Sequence, residues 1–342
     1  MKRALVLTNH LHAWAGSEIV SLEVSEVLIN QEYETCLVAN VVAPDIYEIG
    51  NEIGATVSNE PSKFDLRDFD FVWGQHFVAP LCKGFAQLDE FSGSFNSVHL
   101  SPFESFELAA LSYTKRIGAN IVTNSTETLN KIKSFYNNLL SIHNLNNATT
   151  HQFVESKKYE TNQVESIKNI LIVSNHIPNE VIEACQILEK KGLIIAAFGK
   201  GQRNYMRMKK EHIQKFDVII SIGKTVQYGI LSRRPVFCYD RFGGPGYITE
   251  KNFPKALEYN FSGRCSNRKL SAKDLSDEIL NGYEQAKKSV NEVFDLSSNI
   301  FDLDLFIKKL SHVKTKLKTN QIDIFPVVET AKIIRNRYIS IK

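Results

Sequence analysis

Gly243-Gly244-Pro245-Gly246 closes an apolar run, Pro235-Val236-Phe237-Cys238-Tyr239-Asp240, that reads as a buried strand. Three glycines in four residues predict positive φ, or another object lying close against the backbone. A phosphate is the commonest such object, and a tight loop between strand and helix is the alternative. Gly223-Lys224-Thr225 follows a second apolar run and opens a helix, so its free N–H groups and the Lys224 ammonium can share an anion. The first glycine of a Walker loop is missing, because position 218 is Val218, and this argues against a nucleotide hydrolase. The plainer reading has Thr225 as a cap and Lys224 in solvent. Gly16-Ser17-Glu18 follows the first strand and has the same two readings, a phosphate turn or an N-cap Ser17 with Glu18 favouring the helix dipole.

His76 and His99 each end a predicted strand. His99 stands in HLSPFESFE, where Pro102 delays the next helix to Glu104, so its side chain is expected at the mouth of a cleft. Two Asp-x-Asp triplets, Asp68-Phe69-Asp70 and Asp302-Leu303-Asp304, lie away from strand ends, and no metal site is expected at either. There is no GxSxG, no HExxH and no cysteine beside a general-base motif. The five cysteines are odd in number and scattered, which predicts neither disulfides nor structural zinc and fits a reducing, cytoplasmic compartment.

These groups need a scaffold, and the chain alternates short β-rich runs with helical stretches. Residues 4–8, 35–40, 69–76, 94–100 and 119–125 are the predicted strands of the first half, with helices such as Ser17 to Asn30 and Ser125 to Leu140 between them. A polar segment rich in Asn, Thr and Ser, 141–166, reads as a linker. The pattern restarts with continuous apolar strands at 169–175, 193–199, 217–223 and 234–240, the kind buried on both faces of a parallel sheet. From Ser271 onward the chain is predicted helical, with basic faces in IKKLSHVKTKLK and AKIIRNRYISIK that read as solvated surface or as a contact with a membrane surface. Lys and Arg total 41 against 38 Asp and Glu, too even a balance for a nucleic-acid partner. The apolar run after Met1-Lys2-Arg3 is too short for a signal peptide, and no stretch is long enough to span a membrane.

Ligands of open parallel sheets bind beyond the carboxyl ends of the strands. Those ends are polar here: Thr8-Asn9-His10, Gln75-His76, His99, Thr123-Asn124-Ser125, Ser174-Asn175-His176, Gly199-Lys200-Gly201, Gly223-Lys224-Thr225 and Asp240. The expected architecture is therefore α/β, with two doubly wound Rossmann-like domains, 1–155 and 166–292, facing a cleft, and a helical C-terminal segment, 293–342, packing back across them.

In this combination the chain resembles bacterial GT-B-fold glycosyltransferases, most nearly retaining family 4 and its capsule and cell-envelope relatives. WAGSEIVSLEVSEVL is similar to the family's first loop and helix, with Ala15 in place of its first glycine. SFNSVHLSPFE is similar to the strand whose terminal histidine approaches the donor sugar, and GKTVQYGILSRRPVFCYDRFGGPGYITEKNF to the donor site. Tyr228 stands where many members have the first of two paired glutamates, and Arg233 where a turn glycine is usual. The resemblance implies transfer of a sugar from a nucleotide-sugar co-substrate, without a further cofactor or metal, to a cell-surface glycan or lipid-linked acceptor, with retention and with possible peripheral contact at the inner face of the membrane. It implies His99 as the catalytic residue, and Gly16, Ser17, Ser174, Asn175, His176, Lys224, Thr225, Gln227, Tyr228, Asp240, Gly243, Gly244, Pro245, Gly246 and Tyr247 as donor-binding residues. A non-catalytic partner subunit, motivated by Tyr228 and Arg233, and a GT-B-fold sugar-nucleotide epimerase are the alternatives.

Overall fold

The structure, a computed structural model, describes residues 1–135, 141–160, 166–318 and 322–340. It divides into two compact units, Met1–Leu145 with Leu303–Lys342, and Asn146–Asp302. In the first unit the elements run β1 (Lys2–Leu11), α1 (Gly16–Asn30), β2 (Tyr33–Val42), α2 (Pro44–Glu52), β3 (Thr56–Ser58), β4 (Phe71–Gln75), β5 (Ser94–His99), α3 (Ser105–Ile117), β6 (Asn120–Thr123), α4 (Thr126–Phe135) and β7 (Ile142–Asn144). The sheet order is β3-β2-β1-β4-β5-β6-β7, and every pairing is parallel. Its apolar strands are buried on both faces, as a sheet covered by crossover helices requires. The helix expected to reach Leu140 is α4, and residues 136–140 lie outside the described residues.

β1 continues past the apolar run that foretold it. Leu11 still pairs with Val42, so the polar triplet Thr8-Asn9-His10 belongs to the strand instead of ending it. Backbone pairing to β2 carries these polar residues onto the sheet, because a ladder is indifferent to side-chain type.

The second unit contains β8 (Asn169–Val173), α5 (Asn179–Lys190), β9 (Ile194–Phe198), α6 (Lys210–Gln214), β10 (Val218–Ser221), α7 (Lys224–Leu231), β11 (Val236–Asp240), β12 (Gly243–Tyr247), α8 (Phe253–Glu258) and α9 (Ala272–Ser297). Its sheet order is β12-β11-β10-β8-β9, parallel except for the antiparallel edge strand β12. Leu275, Ile279, Tyr283 and Ala286 of α9 share a core with Ile170, Ile172 and Phe237 of the sheet. The boundary expected at residue 292 falls inside α9, which this packing holds to the unit as one piece.

The boundary expected at 155 also moves, to 145/146. Residues 147–155 are bound to the second unit: the Glu155 N–H donates to the Leu231 carbonyl, and Ser232 Oγ donates to that of Phe153. Residues 161–165 of the expected linker lie outside the described residues. The C-terminal helices α10 (Leu303–Ser311) and α11 (Ile324–Ser340) belong to the first unit, where Ala331 and Ile334 join the core around Phe77, Phe85 and Tyr113. Residues 341–342 of the basic C-terminal segment lie outside the described residues. Among the described residues no helix is long and apolar enough to cross a membrane.

Candidate functional site

The glycine run of the second unit is a strand, not an open loop. Asp240 pairs with Gly243 and Cys238 with Gly246 across the hairpin. Gly243 and Gly246 have φ of +93° and +80°, a region costly for side-chain-bearing residues. A methyl group on Gly243 would strike the Arg268 carbonyl, one on Gly244 the Cys238 carbonyl, and one on Gly246 the Glu278 carboxylate. The objects that lie close against these glycines are thus the protein's own chain, and the Gly244 N–H donates to the Arg268 carbonyl at 3.0 Å. Pro245 continues the same strand.

Asp240 and Tyr247 are engaged in the same construction. The Asp240 carboxylate accepts from the Phe242 N–H at 2.7 Å, the Ser262 hydroxyl at 2.8 Å and the Gly263 N–H at 3.0 Å, tying the hairpin to the turn at Gly263–Cys265. The Tyr247 hydroxyl donates to the Ile279 carbonyl at 2.7 Å, and its ring meets Phe237 edge-on.

Every residue of α7 is buried. Tyr228 stacks on Phe153 at 3.8 Å between centroids, and Gln227 is wholly covered, so this face of the helix is core. Lys224 does not stand in solvent: its ammonium donates to the carbonyls of Asn147 at 3.2 Å and Ala148 at 2.5 Å. Arg233 occupies a left-handed turn at φ 51°, held by stacking of its guanidinium 3.5 Å above the Phe294 ring and by hydrogen bonds to the Glu155 carbonyl and Asn291 Oδ1. That accounts for an arginine where a glycine is the easier residue.

The carboxyl edge of β8, β9 and β10 keeps exposed groups. Ser174 and Asn175 are half-buried and His176 exposed. The Asn175 carboxamide accepts from the Lys200 N–H at 2.8 Å and Ser174 Oγ from the His176 N–H at 3.1 Å, so two adjoining strand-end loops are pinned to each other. Gly223 precedes α7 as its N-cap and makes no side-chain cap hydrogen bond.

In the first unit the strand ends gather ionisable groups that the sequence pattern had left apart. His10 and His12 lie on the end of β1 and the loop after it, and Glu18 lies in the first turn of α1. Glu18 Oε1 is 3.5 Å from His10 Nε2 and 3.6 Å from His12 Nδ1, while Ser17 Oγ donates to Oε2 at 2.8 Å. Ser17 therefore serves Glu18 and is not the N-cap; that position is Ala15, which has no side-chain hydrogen bond. A methyl group on Gly16 would meet open space. Burial pushes the Glu18 carboxyl up to about 7, and burial with the neighbouring His12 pushes the His10 imidazole down to about 4. Tyr338 of α11 stacks on His10 at 5.6 Å, and Arg335 donates to Asn40, which itself donates to Asn9.

His76, at φ 60°, accepts the Asn9 N–H on Nδ1 and turns Nε2 to within 3.9 Å of Glu107. Burial holds its imidazole down at about 3. Glu107 accepts the N–H groups of Leu100 and Ser101 at 2.7 and 2.9 Å, and burial nonetheless pushes its carboxyl up to about 8. His99 is wholly buried, contrary to the expected position at a cleft mouth: the Ser97 hydroxyl lies 3.1 Å from Nε2, and burial pushes its imidazole down to about 3. Pro102 and Glu104 do delay α3 as read, but Glu107 on its first turns folds back over residues 100 and 101 and closes the strand end.

Residues of both Asp-x-Asp triplets make polar contacts. Asp70 accepts the Arg3 N–H, Asp68 lies 3.7 Å from the Arg3 guanidinium, and Asp302 pairs with His151 at 3.3 Å. The sequence reading missed the grouping of His10, His12 and Glu18. Its signal was the His-x-His on a strand end followed by an acid at a helix start, obscured because the acid also reads as a dipole-favouring residue.

No protein-family profile and no curated protein matches this sequence. Solved structures do. A glycosyltransferase from Rickettsia africae superposes with a TM-score of 0.58 at 14% identity, covering 90% of this chain and 96% of that one. Anabaena HepE, solved with UDP and glucose, gives 0.58 at 11% identity over 92% of this chain and all of that one. The fold is that of these structures. It bears out the two α/β sheets expected from the strand pattern and the GT-B fold that the resemblance implied, and at such identity the likeness is one of fold.

Proposed function

We propose that the chain is a glycosyltransferase that takes a sugar from a nucleotide-activated donor. The observation that carries this is the likeness of fold along nine-tenths of the chain to a protein solved with UDP and glucose, joined to strand ends that offer polar groups in both units. In this reading the second unit takes the donor at the ends of β8, β9 and β10. Ser174, Asn175 and His176 meet the nucleotide, and Lys224 and Thr225 at the start of α7 meet the diphosphate. Gln227, Tyr228, Asp240, Gly243, Gly244, Pro245, Gly246 and Tyr247 support that edge from within.

The first unit takes the acceptor, a cell-surface glycan or lipid-linked sugar. The half-exposed His12 lies there beside Gly16 and Ser17, which the resemblance assigns to the donor, and the wholly buried His99 acts as a positioning residue. Retention, and a diphosphate neutralised by the protein itself, follow from the family resemblance. The exposed Phe325, Ile333 and Ile339 of α11, interspersed with Lys332 and Arg337, suit a place at the cytoplasmic membrane surface.

The test is calorimetric titration of the chain with UDP, GDP, CDP, ADP and dTDP, followed by incubation with the sugar conjugates of whichever binds. One nucleoside diphosphate should bind saturably at one per chain, with its sugar conjugate consumed and the anomeric proton signal of the product retaining the donor's configuration. Binding without turnover would favour the non-catalytic subunit, and no binding would end the reading.

A further inference from the structure

The group formed by His10, His12 and Glu18 has the composition and spacing of a metal site, and it stands whether or not the chain transfers a sugar. Two imidazole nitrogens and one carboxylate oxygen lie within 4.8 Å of one another. Each histidine offers a single nitrogen to the same oxygen, at 3.5 and 3.6 Å. Metal–ligand bonds of about 2.0–2.2 Å in tetrahedral geometry set ligand atoms about 3.4 Å apart. Two edges of the required polyhedron are therefore present to within a few tenths of an ångström. The third, between the two imidazole nitrogens, is no longer than 4.8 Å and closes with a rotation of the His12 side chain, which is 46% exposed.

A second observation points the same way. Glu18 is 1% exposed, yet its Oε1, aimed at both imidazoles, has no hydrogen-bond partner. A buried carboxylate oxygen without a donor is costly to keep, and a cation between it and the two nitrogens removes that cost. The other oxygen is already held by Ser17 Oγ, an outer partner of the kind that orients ligating carboxylates. His10, stacked on Tyr338, and the half-exposed His12 supply the two nitrogen ligands.

We propose that His10 Nε2, His12 Nδ1 and Glu18 Oε1 bind one divalent transition-metal ion of the zinc class, with a coordination position left for water or a ligand oxygen. Two histidines and one carboxylate suit zinc and its first-row neighbours and do not suit Mg²⁺, which prefers oxygen ligands and several waters.

The experiment uses the untagged full chain, stripped with chelator and dialysed against ZnCl₂ in excess MgCl₂, with bound zinc measured by atomic absorption. CoCl₂ in a parallel sample reports coordination through its visible d–d absorption. The wild type should retain one Zn²⁺ per chain and give the intense Co²⁺ spectrum of a low-coordinate site. His12→Ala should weaken Zn²⁺ binding by roughly 100-fold or more, as should Glu18→Gln. His151→Ala, which removes the exposed histidine beside Asp302, should leave binding unchanged. Should the buried Glu18→Gln protein fail to fold, His12→Ala decides, because its ring lies at the surface. Absence of bound Zn²⁺ in the wild type, or wild-type stoichiometry and affinity in His12→Ala, overturns the proposal.

Discussion

Glu107 and His99 show what burial does to single groups beneath the polar strand ends of the first unit. Glu107 has a folded pKa of about 8 against roughly 4.3 in an unfolded chain, so between those values the folded state holds a proton that the unfolded state has released. Its contribution to stability is complete below about pH 4 and is lost as the pH rises through 8. His99 has the opposite sense: with a folded pKa of about 3 against about 6.5, its neutral form favours folding above pH 6.5, and that contribution is lost as the pH falls toward 3. Glu107→Gln should therefore remove only the alkaline loss. Urea-unfolding midpoints should show the wild type losing stability relative to the variant, by a few kcal/mol, between about pH 5 and 8. A difference that does not change with pH would mean that Glu107 is ionised throughout. At Lys224, Lys224→Met leaves the Asn147 and Ala148 carbonyls without their donor and should destabilise the protein by about 1–3 kcal/mol in the same assay.

At the scale of elements, the glycines separate by what lies beside them. Gly244→Val drives a branched side chain into the Cys238 carbonyl and the Tyr239 backbone, so β12 cannot keep its register, and a loss of about 3 kcal/mol or more in thermal unfolding is expected. Gly16→Ala meets open space at the start of α1 and should change stability by less than about 1 kcal/mol. Equal effects of the two changes would contradict the account of the hairpin. The long buried strands were legible in the sequence because continuous apolar runs of that length leave little else to be. β3 and β7 were not, being three-residue edges with no period to detect, and neither was β12, whose glycines carry no strand propensity and pair only because β11 lies alongside. Helix α9 was legible as helix but not as part of the second unit, since the side on which it packs is decided by contacts distant in sequence.

For the whole molecule, the alternation of strand and helix was enough to give two α/β sheets, and the motifs at the strand ends gave the resemblance to GT-B enzymes. The C-terminal segment was expected to pack back across both domains; the chain from Leu303 belongs to the first unit, where Tyr338 and Arg335 lie beside His10 and Asn40. The candidate residues could not be sorted from the sequence: Gln227, Tyr228, Asp240 and Tyr247 have binding-type side chains but are consumed by packing and hydrogen bonds within the second unit. Exposed groups of that unit lie at the ends of β8 and β9, and the donor is proposed to bind at the ends of β8, β9 and β10. Hydrogen–deuterium exchange of the full chain, with and without saturating amounts of the tightest-binding nucleoside diphosphate, tests this most directly. The account predicts slowed exchange at residues 173–176, 199–201 and 222–226. Protection absent from all three segments, or confined to residues 1–145, would contradict it.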